Sequence, residues 1–125
     1  MHELSIAQAI LDVATRHAAG RRVVRVEVRV GHLRQVVPSS LDFAFDLVCQ
    51  GTALDGAELV IEQVPAAGHC SRCGADSVLE GLPLRCGACG ALDLDLLAGE
   101  ELVVDALELE DEPATNERIG DGSHV

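Results

Sequence analysis

The 125-residue chain contains no tryptophan or tyrosine and only two phenylalanines, so its core is expected to be aliphatic. It also lacks the aromatic rings on which single-stranded bases usually stack. Positive charge is scarce as well. Nine basic residues stand against 21 acidic ones, a formal net charge of −12, and an acidic surface repels phosphate backbones. Nucleic acid is therefore not an expected partner, whereas solubility and a basic partner are. No apolar run approaches the roughly 20 residues of a membrane span. Glu3, Gln8 and Asp12 interrupt the start of the chain where a secretion signal requires continuous apolar residues. The expected location is cytoplasmic, a reducing compartment in which paired cysteines more often hold metal than form disulfides.

What is present points to a small α+β fold. Apolar residues recur at helical spacing over residues 4–18 (Leu4, Ala7, Ile10, Leu11, Ala14, Ala18), and Gly20 offers a stop. Over 22–30 the period changes to two, with Val24, Val26, Val28 and Val30 alternating with Arg25, Glu27 and Arg29, as in a half-buried strand. A second amphipathic helix is predicted from Pro38 through Leu41, Ala44, Phe45, Leu47 and Val48, with Gly51 beyond its end. A strand follows over 57–64, with Leu59 and Ile61 on one face, and Pro65 ends it. Strand chemistry returns over 101–110, but its apolar phase slips near Asp105 and Ala106, which suggests a bulge. Acids are concentrated at the end of the sequence, where residues 99–125 carry one Arg against nine acids. From Asp111 onward acids, Gly, Pro, Asn and Ser dominate, and a disordered acidic tail is expected over 111–125.

Residues 66–98 differ in kind, with little periodicity and four cysteines, Cys70, Cys73, Cys86 and Cys89. Cys70-Ser71-Arg72-Cys73-Gly74 is echoed by Cys86-Gly87-Ala88-Cys89-Gly90. Two residues between cysteines let both sulfurs reach one ion from a tight turn, and the following glycine permits a positive φ. Four thiolates leave no open position, which marks a structural zinc ion rather than a catalytic one. Iron in a rubredoxin-like electron carrier is the rival, since a tetrahedral sulfur site suits either metal. Iron sites of that kind usually sit among packed aromatic rings, which this segment does not have. His69 is expected to be an exposed neighbour of the site, and Cys49 a buried thiol on the second helix.

Met1-His2-Glu3 carries its own chemistry. The Met1 amine, the deprotonated His2 amide and the His2 imidazole can close fused chelate rings around one ion, with a fourth donor from the Glu3 amide or carboxylate. Nitrogen donors in a plane are what Ni(II) and Cu(II) prefer. Met1-His2-Glu3-Leu4-Ser5 opening an amphipathic helix resembles the start of the HypA/HybF hydrogenase nickel-maturation factors. The resemblance runs in order through the Val-rich strand ending at Gly31, the Pro38-to-Phe45 helix, Gly56-Ala57-Glu58-Leu59 and both cysteine pairs to Gly99-Glu100-Glu101-Leu102.

The resemblance implies two helices packed on a three-stranded sheet. Residues 1–65 plus 99–110 would form the nickel-binding domain, with a zinc-ribbon-like module inserted at 66–98. It implies a metallochaperone, not an enzyme. Nickel would be bound at Met1, His2 and Glu3, with His2 indispensable, and structural zinc at Cys70, Cys73, Cys86 and Cys89. The implied partners are a HypB-like GTPase and the large subunit of a [NiFe] hydrogenase, for a chain that is a monomer or weak dimer. One departure concerns the second cysteine pair, Cys86-Gly87-Ala88-Cys89-Gly90-Ala91, where many members have proline after the first cysteine and serine after the glycine. A zinc-ribbon protein-interaction module remains the other reading besides the iron carrier.

Overall fold

The computed structural model describes residues 2–110 and, for backbone alone, 116–124. It divides into two units. The first comprises Met1–Arg29, Val36–Glu62 and Leu102–Val125, and the second Val30–Gln35 and Gln63–Glu101.

In the first unit the helical stripe at the start of the sequence becomes α1 (His2–Ala18), which buries Ile6, Ala7, Ile10, Leu11, Val13, Ala14 and Ala18. Helix α2 (Pro38–Cys49) buries Leu41, Ala44, Phe45 and Cys49. The two helices pack on one another, and α1 also contacts the sheet. Leu4 and Leu47, both expected on the apolar stripes, are 39 % and 47 % exposed. The core is filled from the inner face of each helix by Ile10, Leu41 and Phe45, and Leu4 and Leu47 are left at the edge.

The sheet follows the period-two pattern. Strand β1 (Val23–Gly31) buries Val26, Val28 and Val30 and leaves Arg25, Glu27 and Arg29 half-buried on its other face. There Arg29 reaches Asp105 at 3.6 Å and Arg25 reaches Glu27 at 3.1 Å. Strand β2 (Glu58–Val64) buries Leu59, and the last strand of the expected three, β6 (Leu102–Leu109), is buried along most of its length. The sheet order is β2-β1-β6, the three strands foreseen, with a fourth strand, β7 (Asn116–His124), beside β6.

Strand β7 departs from the expectation of disorder over 111–125, of which residues 111–115 and 125 lie outside the described residues. It pairs antiparallel to β6, with Glu108 opposite Asn116 and Val103 opposite His124, and the register shifts between Val104 and Ala106. That shift falls where the apolar phase slips in the sequence. A ladder is made by backbone N–H and C=O groups, so a polar segment can complete the row presented by a well-packed neighbour.

The second unit is built on a three-stranded antiparallel sheet of order β4-β3-β5, from β3 (Ala67–Cys70), β4 (Asp76–Val78) and β5 (Leu94–Ala98). His69 faces Asp76 on one side and Asp95 on the other. Residues 30–35, distant in sequence, belong to this unit through backbone bonds. The Gly31 N–H donates to Glu101 C=O at 2.7 Å, the Leu33 N–H to Gly99 C=O at 2.8 Å, and Arg34 Nε to Glu100 C=O at 2.8 Å. Gly31 and Gly99 let the two backbones meet, since a Cβ at Gly31 would stand 2.1 Å from the Gly99 oxygen.

A Gly31→Ala substitution should cost about 3 kcal/mol, because the obstructing atoms, Gly99 C and O and Glu100 N, are all backbone and cannot move aside. Chemical denaturation followed by circular dichroism checks this, and an unchanged midpoint would contradict the close approach.

Candidate metal centre

The two cysteine pairs are held by the same turn used twice. Cys70 ends β3, and its N–H donates to Ala75 C=O at 2.9 Å while the Gly74 N–H returns to Cys70 C=O at 2.8 Å. Sixteen residues later the Cys86 N–H donates to Ala91 C=O at 2.9 Å and the Gly90 N–H to Cys86 C=O at 3.0 Å. Gly74 and Gly90 close these turns at φ of +80° and +78°. Nothing within 4 Å would obstruct a Cβ at either position, so glycine is required by backbone conformation and not by space.

The turns bring the four sulfurs together, all within 4.8 Å of one another. Cys70 Sγ lies 3.7 Å from Cys89 Sγ, and Cys73 Sγ lies 3.5 Å from Cys86 Sγ. A tetrahedron with metal–sulfur bonds of about 2.3 Å has edges of about 3.8 Å, whereas a disulfide needs about 2.05 Å. All four cysteines are free thiols. The separations therefore fit a four-sulfur metal site and are far too long for disulfides. Cys70 and Cys86, the first of each pair, are buried, while Cys73 and Cys89 are exposed.

Backbone amides point at the sulfurs, as they do toward thiolates. The Cys73 N–H faces Cys70 Sγ at 3.5 Å, and Cys86 Sγ receives the N–H groups of Ala88 at 3.3 Å and Cys89 at 3.4 Å. Those two amides, Cys89 first, pull the Cys86 thiol down to about 6. Cys73, next to it, is held up at about 12. The Ala75 amide favours the Cys73 thiolate, but the bond to Cys86 and burial outweigh it. A cluster of thiols this close cannot ionise together without a cation among them.

The second turn is braced by contacts that spacing does not reveal. The Gly87 N–H donates to Ser77 Oγ at 3.2 Å, and Ser71 donates through both N–H and Oγ to Asp93 C=O, at 2.9 and 3.2 Å. Ser77 and Ser71 are hydroxyls in short loops and strands, with no sequence signal that sets them apart. His69, the other candidate beside the site, turns its Nδ1 to Asp76 Oδ1 at 2.6 Å on the exposed surface and is not one of the clustered donors. Cys49 is buried in the first unit, where burial first and then Asp46 and Asp55 push its thiol up to about 11. It is chemically quiet. Both aromatic residues, Phe43 and Phe45, lie in α2, so the cysteine unit has none.

The other candidate site lies at the start of α1. Met1 is outside the described residues, and the helix begins at the exposed His2. An α-helical N–H bonds a carbonyl four residues earlier, and at the helix start the Glu3 amide turns instead to its own carboxylate. Ser5 Oγ donates to His2 C=O at 3.1 Å. The Glu3 carboxylate accepts the N–H of Val37 at 3.2 Å. That bond, followed by one from its own amide, holds the carboxyl below its ordinary range. Beside it runs a groove of about 420 Å³ lined by Glu3, Leu4, Ser39, Ser40, Phe43 and Leu47. Neither the Val37 bond nor the groove is legible in the sequence, because each depends on how α2 meets α1.

Among the described residues no helix is long and apolar enough to cross a membrane. Comparison with known proteins gives a consistent family. A model described as "Hydrogenase/urease nickel incorporation, metallochaperone, hypA" matches residues 1–109. Hydrogenase maturation factor HypA of Geotalea uraniireducens (strain Rf4) is 44 % identical over 110 residues, covering 88 % of this chain and 100 % of that protein. The protein of the same name from Nostoc punctiforme (strain ATCC 29133 / PCC 73102) is 40 % identical over 111 residues, 89 % of this chain and 97 % of its own length. The fold resembles the solution structure of the Ni metallochaperone HypA from Helicobacter pylori, with a TM-score of 0.64 at 22 % identity, covering 87 % of this chain and 97 % of that one.

Titration with a chromogenic zinc chelator should find one zinc per chain. Replacing Cys70, Cys73, Cys86 or Cys89 by alanine should remove it, while Cys49→Ala and His69→Ala keep it. Gly74→Ala and Gly90→Ala should each weaken zinc retention by about tenfold, since the left-handed conformation costs a Cβ-bearing residue about 1–2 kcal/mol.

Proposed function

The chain belongs to the HypA family, and from that premise we propose that it is a nickel metallochaperone of hydrogenase maturation. It takes up Ni(II) at its N-terminus and holds a structural zinc ion on Cys70, Cys73, Cys86 and Cys89. The observation that carries this reading is the family match over residues 1–109, which contains both Met1-His2-Glu3 and the four cysteines. The family description names urease beside hydrogenase, and the Geotalea and Nostoc relatives bear the hydrogenase name.

For nickel, the donors are the Met1 amine, the His2 amide and imidazole, and Glu3. The support is chemical. Helix α1 begins at the exposed His2, and the Glu3 amide is turned to its own carboxylate, so the first-turn nitrogens face the open end of the helix. The site sits at the end of a chain rather than in a cage, which suits a cargo that must leave again. Nickel occupancy falls as pH falls, because imidazole, amine and amide must all be free of competing protons. The recipients are a HypB-like GTPase and the large subunit of a [NiFe] hydrogenase, and zinc supplies rigidity to the module through which they are engaged. The lack of aromatic residues in the cysteine unit favours zinc over iron.

Nickel titration of untagged, zinc-loaded protein beginning at Met1 tests the reading. One nickel site is expected, lost in His2→Ala and in protein with a blocked or extended N-terminus, with zinc content unchanged in all three. Equal nickel binding by His2→Ala would reject the assignment. An iron-red colour in the purified protein would favour the electron-carrier alternative.

A further inference from the structure

Strand β7 (Asn116–His124) lies beyond residue 109, where the family match ends, so the last strand of the sheet is supplied by a segment outside the matched part of the chain. Strand β6 is hydrogen-bonded to β1 on one side and to β7 on the other. Without β7 it would be an eight-residue edge bearing Leu102, Val103, Val104, Ala106, Leu107 and Leu109. A long apolar edge of that kind recruits further strands through its unpaired N–H and C=O groups. The ladder that covers it is broken. Glu108, Leu107 and Ala106 pair with Asn116, Glu117 and Arg118, and pairing resumes only at Val104 with Ser123 and Val103 with His124. Asp105 alone thus stands opposite residues 119–122, and the irregularity belongs to β7, since β6 is one continuous strand.

A second β6 running antiparallel fits the same edge without a break. Two strands related by a two-fold axis perpendicular to their sheet oppose residues of the same face. Pairing centred on Ala106 therefore sets Asp105 against Leu107, Val104 against Glu108 and Val103 against Leu109 of the second copy. No carboxylate then opposes another, and the smallest side chain of β6 stands on the axis. We propose that the edge of β6 is a surface for a second copy of this chain, and that β7 is the internal strand that occupies it and keeps the chain a monomer. The advantage of β7 is its tether. Five residues of sequence separate Glu110 from Asn116, which gives β7 an effective concentration at β6 of about millimolar, whereas a second copy must arrive from solution. Displacing β7 joins two sheets of order β2-β1-β6 into one.

The test uses the full zinc-loaded chain and reads its mass by analytical ultracentrifugation over a concentration series, together with amide hydrogen exchange along β6. Glu117→Pro and Arg118→Pro are introduced together. In an antiparallel strand successive N–H groups point alternately toward and away from the neighbour, so one of two adjacent prolines always removes a bond to β6. The wild-type chain should stay monomeric, with β6 protected at every concentration. The double-proline variant should dimerise about tenfold more tightly than the wild type, the scale of one or two lost ladder bonds, and its β6 protection should return as the dimer forms. Glu117→Gly with Arg118→Gly keeps both N–H groups and only loosens the strand, so it should shift the equilibrium in the same direction by less, and it serves where the prolines prevent folding. Circular dichroism and zinc content check the fold of each variant. Variants that stay monomeric, dimerise without protecting β6, or dimerise no more tightly than the wild type overturn the proposal.

Discussion

Four sulfurs held within 4.8 Å of one another are the constraint on which the second unit depends. Its buried side chains are few and small, chiefly Ala66, Cys70, Leu79 and Cys86 beside Val30. Such a set cannot offset the entropy of ordering so long a glycine-rich segment by apolar burial alone. The thiolates supply the missing interaction once a cation lets them ionise together. For isolated zinc-finger peptides that coupling is worth about 10–16 kcal/mol, larger than the whole stability of many domains. The repeated turns, the inward amides and the braces from Ser71 and Ser77 are all ways of presenting four sulfurs at tetrahedral spacing.

The first unit solves a different problem with ordinary means. Its core is aliphatic, with Phe45 as the largest buried side chain, and α1 and α2 close over a sheet whose outer face is lined by Arg25, Glu27, Arg29 and Asp105. Burying Ile10, Leu41, Phe45 and Val104 offsets the entropy of the helices and strands, so the start of α1 can be presented to solvent from a rigid base. The proposed transfer site needs this combination of fixed support and open access.

Much of this was legible in the sequence wherever periodicity or spacing carries the physics. The two helices, the strands at 22–30, 57–64 and 101–110, and both cysteine pairs are written in local pattern. The slip near Asp105 marked the register shift of β6 against β7. What was not legible depends on contacts between distant backbones. Residues 30–35 join the cysteine unit because Gly31 and Gly99 touch, and nothing near either residue announces the other. Strand β7 was missed because an edge strand can be held by its ladder without an apolar stripe. The exposure of Leu4 and Leu47 was missed because a periodic stripe says which side of a helix is apolar and not how wide a contact the neighbour offers.

The start of α1, the proposed nickel site, is a balance of opposed fields. The start of a helix carries a partial positive charge, which repels a cation, and α1 and α2 both begin near Glu3. Two features reverse that repulsion locally. In the proposed nickel site, deprotonating the His2 amide would replace a donor with a negative nitrogen, and the Glu3 carboxylate, which accepts the Val37 N–H, adds negative charge at the helix starts. An ion in the proposed site would be held by chelation at an exposed helix start, where a partner could reach it, whereas four clustered thiolates leave a bound cation no open position.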